Sequence, residues 1–157
     1  MIAAADFCKE AETGGYLGTP YEKLDCQAFV EAVLKGCGLV RNWRGSNHMW
    51  RDAVYGHAEK NSETILPGAL VFTIKRDGGE NKKYYKDGVN AAHVGIYIGG
   101  GVVMHSTTPG GVQYDDIMSE RWTHTALLND VYYVDSDGLS DHDMIVAIYK
   151  KILEVFP

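Results

Sequence analysis

The stretch Leu24-Asp25-Cys26-Gln27-Ala28-Phe29-Val30-Glu31-Ala32-Val33-Leu34-Lys35-Gly36-Cys37-Gly38 reads as an amphipathic helix that opens on a cysteine. Phe29, Val30, Val33 and Cys37 fall at helical spacing from Cys26, while Gln27, Glu31 and Lys35 occupy other faces. Asp25 is a good N-cap, and Gly36 and Gly38 supply stop signals. Cys26 therefore lies in the first turn, on the side that faces a core. A thiol there meets the unpaired N–H groups and the positive end of the helix dipole, both of which lower its pKa.

Upstream, residues 2–12 read as a first helix, and the run Gly14-Gly15-Tyr16-Leu17-Gly18-Thr19-Pro20 breaks it and delivers the chain through a loop to Asp25. A further helix is expected over residues 47–57. Beyond the turn at Pro67-Gly68 the pattern changes to strands, over residues 69–74, 93–98, 102–106, 111–117, 123–128 and 131–134. Helices come first and an antiparallel sheet second, so the fold class is α+β.

The strand at residues 93–98 alternates Val94, Ile96 and Ile98 with His93, Gly95 and Tyr97, so His93 lies on the face away from the aliphatic side chains. A strict two-residue turn at Gly99-Gly100 opposes His105 to Val94 and separates the two histidines. A three-residue turn over Gly99-Gly100-Gly101 opposes His105 to Gly95 and makes His93 and His105 diagonal neighbours, about 7–8 Å apart at the backbone. The odd-length turn, or an equivalent bulge, is the register expected.

Residues 75–90 are dense in charge and glycine and read as an inserted loop or flap. Residues 138–157 start with the capping-box pattern Ser140-Asp141-His142-Asp143 and continue at helical spacing, giving a C-terminal helix. The chain of 157 residues carries 15 basic and 21 acidic side chains, a net charge of -6. One domain spanning 1–157 is expected. The acidic balance argues against nucleic-acid binding by counterion release and against an anionic membrane surface, and apolar runs are too short to span a bilayer. Met1 to Glu12 carries Asp6, Lys9 and Glu10 in place of a continuous apolar leader, so no signal peptide is expected. A monomer is expected.

Cys26 and Cys37 on one helix would sit about 16 Å apart at ~1.5 Å per residue, beyond the ~7 Å reach of a disulfide. All three cysteines are expected free, with Cys8 and Cys37 as small buried apolar groups.

Acyl transfer by cysteine needs a thiolate, a base, a group that orients the base, and donors for the oxyanion. Cys26, His93 and His105 can fill the first three roles. The backbone N–H of Cys26 and the hydroxyl of Tyr21 can face the oxyanion. Taken alone, Cys26 is more readily a buried structural thiol than a nucleophile, and the histidines are equally readable as satisfied sheet residues. No close-spaced ligand pair such as C-x-x-C is present, so neither a metal nor another cofactor is expected.

Five separated blocks resolve these alternatives by resemblance: Gly18-Thr19-Pro20-Tyr21, Leu24-Asp25-Cys26-Gln27-Ala28-Phe29-Val30, Leu66-Pro67-Gly68-Ala69-Leu70-Val71-Phe72, His93-Val94-Gly95-Ile96-Tyr97-Ile98-Gly99 and Met104-His105-Ser106. In order and spacing they resemble the NlpC-type cell-wall peptidases, papain-like cysteine hydrolases of bacteria and their phages, over approximately residues 14–118. The resemblance implies a nucleophile at Cys26, a base at His93 and an orienting residue at His105. It implies a helper at Tyr21, and Tyr21, Asp25 and Gln27 are taken as the substrate and oxyanion side. It also implies endopeptidase action on peptidoglycan stem peptides, often between D-glutamate and a diamino acid. A phage or prophage endolysin is the expected setting, made in the cytoplasm and reaching the wall by holin-type release, virion delivery or secretion. A same-fold amidase or acyltransferase and a catalytically idle wall-binding module are the alternatives. Gln27-Ala28 stands where the family usually carries Ser-Gly, and Ala69 where it usually carries Asp.

Overall fold

The computed structural model describes residues 1–76 and 86–133. In chain order the elements are β1 (Ile2–Ala3), α1 (Ala4–Thr13), α2 (Cys26–Gly36), α3 (Ser46–Asp52), β2 (Val54–Glu59), β3 (Leu70–Lys75), β4 (Asn90–Gly99), β5 (Val102–Thr107), β6 (Gly111–Asp116), β7 (His124–Leu128) and β8 (Val131–Tyr132). Six strands form one antiparallel sheet in the order β2-β7-β3-β4-β5-β6, and β1 pairs with β8 in a separate parallel pair. This is the expected α+β, papain-like arrangement, with a helix that opens on a cysteine laid against an antiparallel sheet.

Strand alternation gives the sheet two different faces. One carries Leu70, Phe72, Val94, Ile96, Met104 and Leu128 into a core with Phe29, Val30, Val33 and Leu34 of α2 and Phe7 of α1. Each such side chain contributes about 1.5–3 kcal/mol by leaving water. On the opposite face Val71, Tyr97, Val103, Ile117 and Trp122 make a smaller cluster. The helix α2 begins where Asp25 accepts the N–H of Ala28 at 2.9 Å and ends where the N–H of Leu39 returns to Leu34 O at 2.9 Å, a Schellman-type closure.

The β4–β5 register is the one that brings the histidines to one face. Ile96 opposes Met104, Tyr97 opposes Val103, and a bulge before Gly99 shifts the pairing to Val102. Extended by one step, the register sets Gly95 against His105. The turn itself is two residues, Gly100 and Gly101, both at positive φ as a type I′ hairpin requires. The bulge supplies the odd residue.

Two expectations need correction. The helix expected over 47–57 stops at Asp52, and Val54–Glu59 is a strand paired with β7 through Val54↔Leu128 and Glu59↔His124. Gly56 disfavours helix by about 1 kcal/mol, and the β-branched and aromatic pair Val54-Tyr55 fits a sheet edge better. Cys37 is half-exposed at the C-cap of α2 rather than buried, while Cys8 is buried, and all three cysteines are free. The excursion near 75–90 leaves the sheet after Lys75 and returns at Asn90, with Asp87 paired to Arg51 at 2.8 Å; residues 77–85 within it lie outside the described residues. So does the helix expected over 138–157. Among the described residues no helix is long and apolar enough to cross a membrane.

The loop before α2 is sewn to β6. Gly18 N–H donates to Val112 O at 2.9 Å and Val112 N–H to Thr19 O at 3.0 Å. This backbone approach works only because residue 111 lacks a side chain: a Cβ there would meet Thr19 O at 1.9 Å, and the residue holds φ +73°. Gly111→Ala is expected to destabilise the fold by roughly 2–4 kcal/mol through overpacking and an unfavourable φ. Urea unfolding checks this, and a change under 1 kcal/mol would show that the loop is not clamped there.

Candidate active site

Strands β4 and β5 pair only between Ile96 and Gly99 on the β4 side, although β4 continues along β3 back to Asn90 and β5 continues along β6 to Thr107. The two strands therefore part at the level of the histidines, and the chain before α2 enters the opening. The Ser106 hydroxyl, fully buried, donates to Leu24 O. The backbone N–H of Val94, with no β5 partner opposite, lies near the Cys26 sulphur and favours its thiolate, as do those of Gln27 and Cys26 itself. Cys26 is 8% exposed.

His93 and His105 meet as the register demands, with Nε2 of His93 2.8 Å from Nδ1 of His105. Trp122 carries both rings: it stacks on His93 at 5.5 Å between centroids and meets the His105 ring edge-on at 5.0 Å. Its indole N–H donates to Asp115 Oδ2 at 2.9 Å. Gly95 makes room for this packing, because a Cβ there would lie 3.0 Å from Trp122 and 3.1 Å from His105. Nη1 of Arg121 approaches His105 Nδ1 at 3.4 Å.

The remaining sequence candidates divide. Burial pushes the Tyr21 phenol upward, and the nearness of Cys26 and Asp25 adds to this. Tyr21 also lines a groove of about 440 Å³ with Pro20, Glu22, Thr108, Pro109 and Gly110. Asp25 serves as the helix cap. The Gln27 side chain turns away from the sulphur: its amide donates to Glu31 and, at 3.0 Å, to Trp43 O. Gln27 therefore offers the sulphur its backbone N–H only. Trp122, Asp115 and Arg121 were not singled out from sequence, and Ser106 stood in the Met104-His105-Ser106 block without a role. The first three reach the histidines from β6 and the segment after it, where no local periodicity marks them. Among the described residues no group of three or more His, Cys, Asp or Glu is arranged to hold a metal ion.

The electrostatics differ from the expectation of a depressed thiol pKa. Burial pushes the Cys26 thiol up and the Asp25 carboxylate adds to this, against the opposing pull of the Val94, Gln27 and Cys26 N–H groups. Burial also pulls His93 down to about 3, helped by His105 and Arg121, with Asp115 opposing. His105 falls to about 4 by burial and Arg121, again against Asp115. At neutral pH the thiol and both rings are uncharged. The helix terminus lowers a thiol pKa only where the thiolate keeps some solvation, and here the surrounding chain removes it.

The NlpC/P60 family model matches residues 13–130. The chain is similar to a probable endopeptidase p60 of Listeria grayi, 31% identical over 120 residues that make up 71% of this chain and 20% of the relative. It is also similar to a probable endopeptidase NlpC homolog of Haemophilus influenzae, 27% identical over 111 residues, 69% of this chain and 49% of the relative. The chain thus spans a fifth and about half of the lengths of these curated relatives. Among solved structures, the NlpC/p60 domain of the peptidoglycan hydrolase SagA superposes with a TM-score of 0.56 at 20% identity, covering 81% of this chain and 100% of that one. At that identity the likeness is one of fold.

The depressed histidines also make the fold acid-sensitive. Unfolded, each ring binds a proton near pH 6.5, whereas folded it resists until about 3 or 4. Their contribution to stability is complete above pH 6.5 and is lost as pH falls from 6.5 toward 4. Urea midpoints measured between pH 7 and 4.5 are expected to fall, and to fall less steeply in a His93→Gln/His105→Gln variant. Equal slopes would show that the histidines are not held neutral by the fold.

Proposed function

This chain belongs to the NlpC/P60 family, and on that premise we propose that it is a cysteine peptidase that hydrolyses amide bonds in bacterial peptidoglycan stem peptides. The observation that carries this reading is the 2.8 Å bond between His93 Nε2 and His105 Nδ1, made by the strand whose Val94 N–H lies near the Cys26 sulphur. With Nε2 engaged, His93 has Nδ1 left for the thiol proton.

In the proposed reaction the amide carbonyl enters from the groove beside Tyr21. His93 takes the Cys26 proton as sulphur bonds to carbon, and the negative charge moves to the carbonyl oxygen. The N–H of Cys26 at the open start of α2 and the Tyr21 hydroxyl are the donors closest to that charge. The C–N bond then breaks, the His93 proton passes to the leaving amine, and a thioester remains. Water attacks it, giving its proton to His93 and releasing the acid and the thiol. His105 keeps the His93 ring oriented throughout. A neutral thiol and a neutral base suit proton transfer concerted with attack.

The finer reading is cleavage between D-glutamate and a diamino acid by an endolysin of a phage or prophage. On this reading the enzyme works at the bacterial wall, reached by holin-type release, virion delivery or secretion. Cys26→Ala is expected to lower release of peptides from purified walls by at least about a thousandfold while leaving the circular dichroism spectrum unchanged. Mass spectrometry of the new amino termini from walls of known cross-link identifies the bond. Full lytic activity in Cys26→Ala would overturn the cysteine mechanism, and products cut elsewhere would overturn the D-glutamyl assignment.

A further inference from the structure

We propose that Arg121 is a positioning residue that fixes the tautomer of the His93–His105 pair and so leaves Nδ1 of His93 bare. The inference rests on the peptidase reading for its catalytic meaning, and on geometry for its content. A guanidinium carries donors only. Nη1 of Arg121 lies 3.4 Å from the same His105 Nδ1 that stands 2.8 Å from His93 Nε2. If His105 carried its proton on Nδ1, that N–H would confront a guanidinium N–H and a positive charge. The arrangement is satisfied when the one lone pair of Nδ1 accepts from His93 Nε2–H at 2.8 Å and is shared at longer range with the guanidinium N–H. His105 then holds its proton on Nε2, His93 holds its own on Nε2, and His93 Nδ1 keeps a free lone pair.

Arg121 is supported where it does this. Its guanidinium carbon sits 5.8 Å from the centroid of the Trp122 ring, which carries both imidazoles and is anchored by Asp115. The charged and titratable groups that act on the pair are Arg121 from the segment after β6 and Asp115 from β6, besides the histidines themselves. The cation also disfavours protonation of either ring, with Asp115 acting in the opposite sense. A base that would otherwise protonate at mild acidity is thereby kept available.

The test is long-range 15N–1H NMR of the imidazoles in the full chain, which needs no substrate. The wild type is expected to show protons on Nε2 of both rings. Arg121→Met is expected to give a mixture of tautomers and to move the acid midpoint of His93 up by about one pH unit, with Arg121→Lys restoring most of both. In peptide hydrolysis Arg121→Met is expected to lower kcat by roughly 10- to 100-fold with KM unchanged, and to move the acid limb of the pH profile upward. A proton on Nδ1 of His93 in the wild type, or unchanged tautomers and midpoint in Arg121→Met, would overturn the proposal. A wild type that cuts no stem peptide sinks the peptidase reading and leaves the NMR result to decide the tautomer.

Discussion

The parting of β4 from β5 is the constraint on which the site depends. Antiparallel strands that stay paired satisfy their own N–H and C=O groups and leave no donor for anything else. Here the ladder ends at Ile96↔Met104, and the chain before α2 takes over what the ladder gives up. Leu24 O receives the Ser106 hydroxyl, and the Val94 N–H lies near the sulphur. The same opening sets the start of a helix against a sheet strand at backbone range. Side chains as short as cysteine and histidine then become neighbours without any long reach.

Burial is the second determinant, and it acts on every titrating group in the same sense. Removing water penalises the charged form of the thiol and of both imidazoles, and for each it outweighs the charges and N–H groups nearby. Trp122, 1% exposed, and the 2% exposed His105 seal this part of the sheet. An ion pair of thiolate and imidazolium would have to recover the desolvation of two charges, which a partly enclosed site seldom allows. The helix terminus still has a part, because the open N–H groups of α2 serve a transient negative charge better than a permanent one.

What could be read from the sequence follows from how local each feature is. The capped start of α2 was legible because Asp25, Cys26 and the apolar spacing lie within a few turns. The meeting of His93 and His105 was legible because one hairpin joins them, and only the parity of its turn was at issue. The strand at Val54–Glu59 was not, since its pairing with β7 spans some 70 residues of chain. Nor was the pKa of Cys26, because enclosure by β4 and β5 leaves no trace beside the cysteine. Arg121 and Trp122 were hidden for the same reason: the histidines they meet in space lie on β4 and β5, before the intervening strand β6.

The backbone exchange of Gly18 and Thr19 with Val112 makes the loop before α2 behave as a short added strand. Tyr21 is then tethered on both sides, by this pairing before it and by the Asp25 cap after it. Ordering a loop of that length from a mobile state would cost about 1–2 kcal/mol per residue in backbone entropy. In this protein that cost falls on folding and not on the arrival of a ligand. A molecule entering the groove beside Tyr21 meets a wall already in its final shape, so its contacts there are available for affinity and orientation.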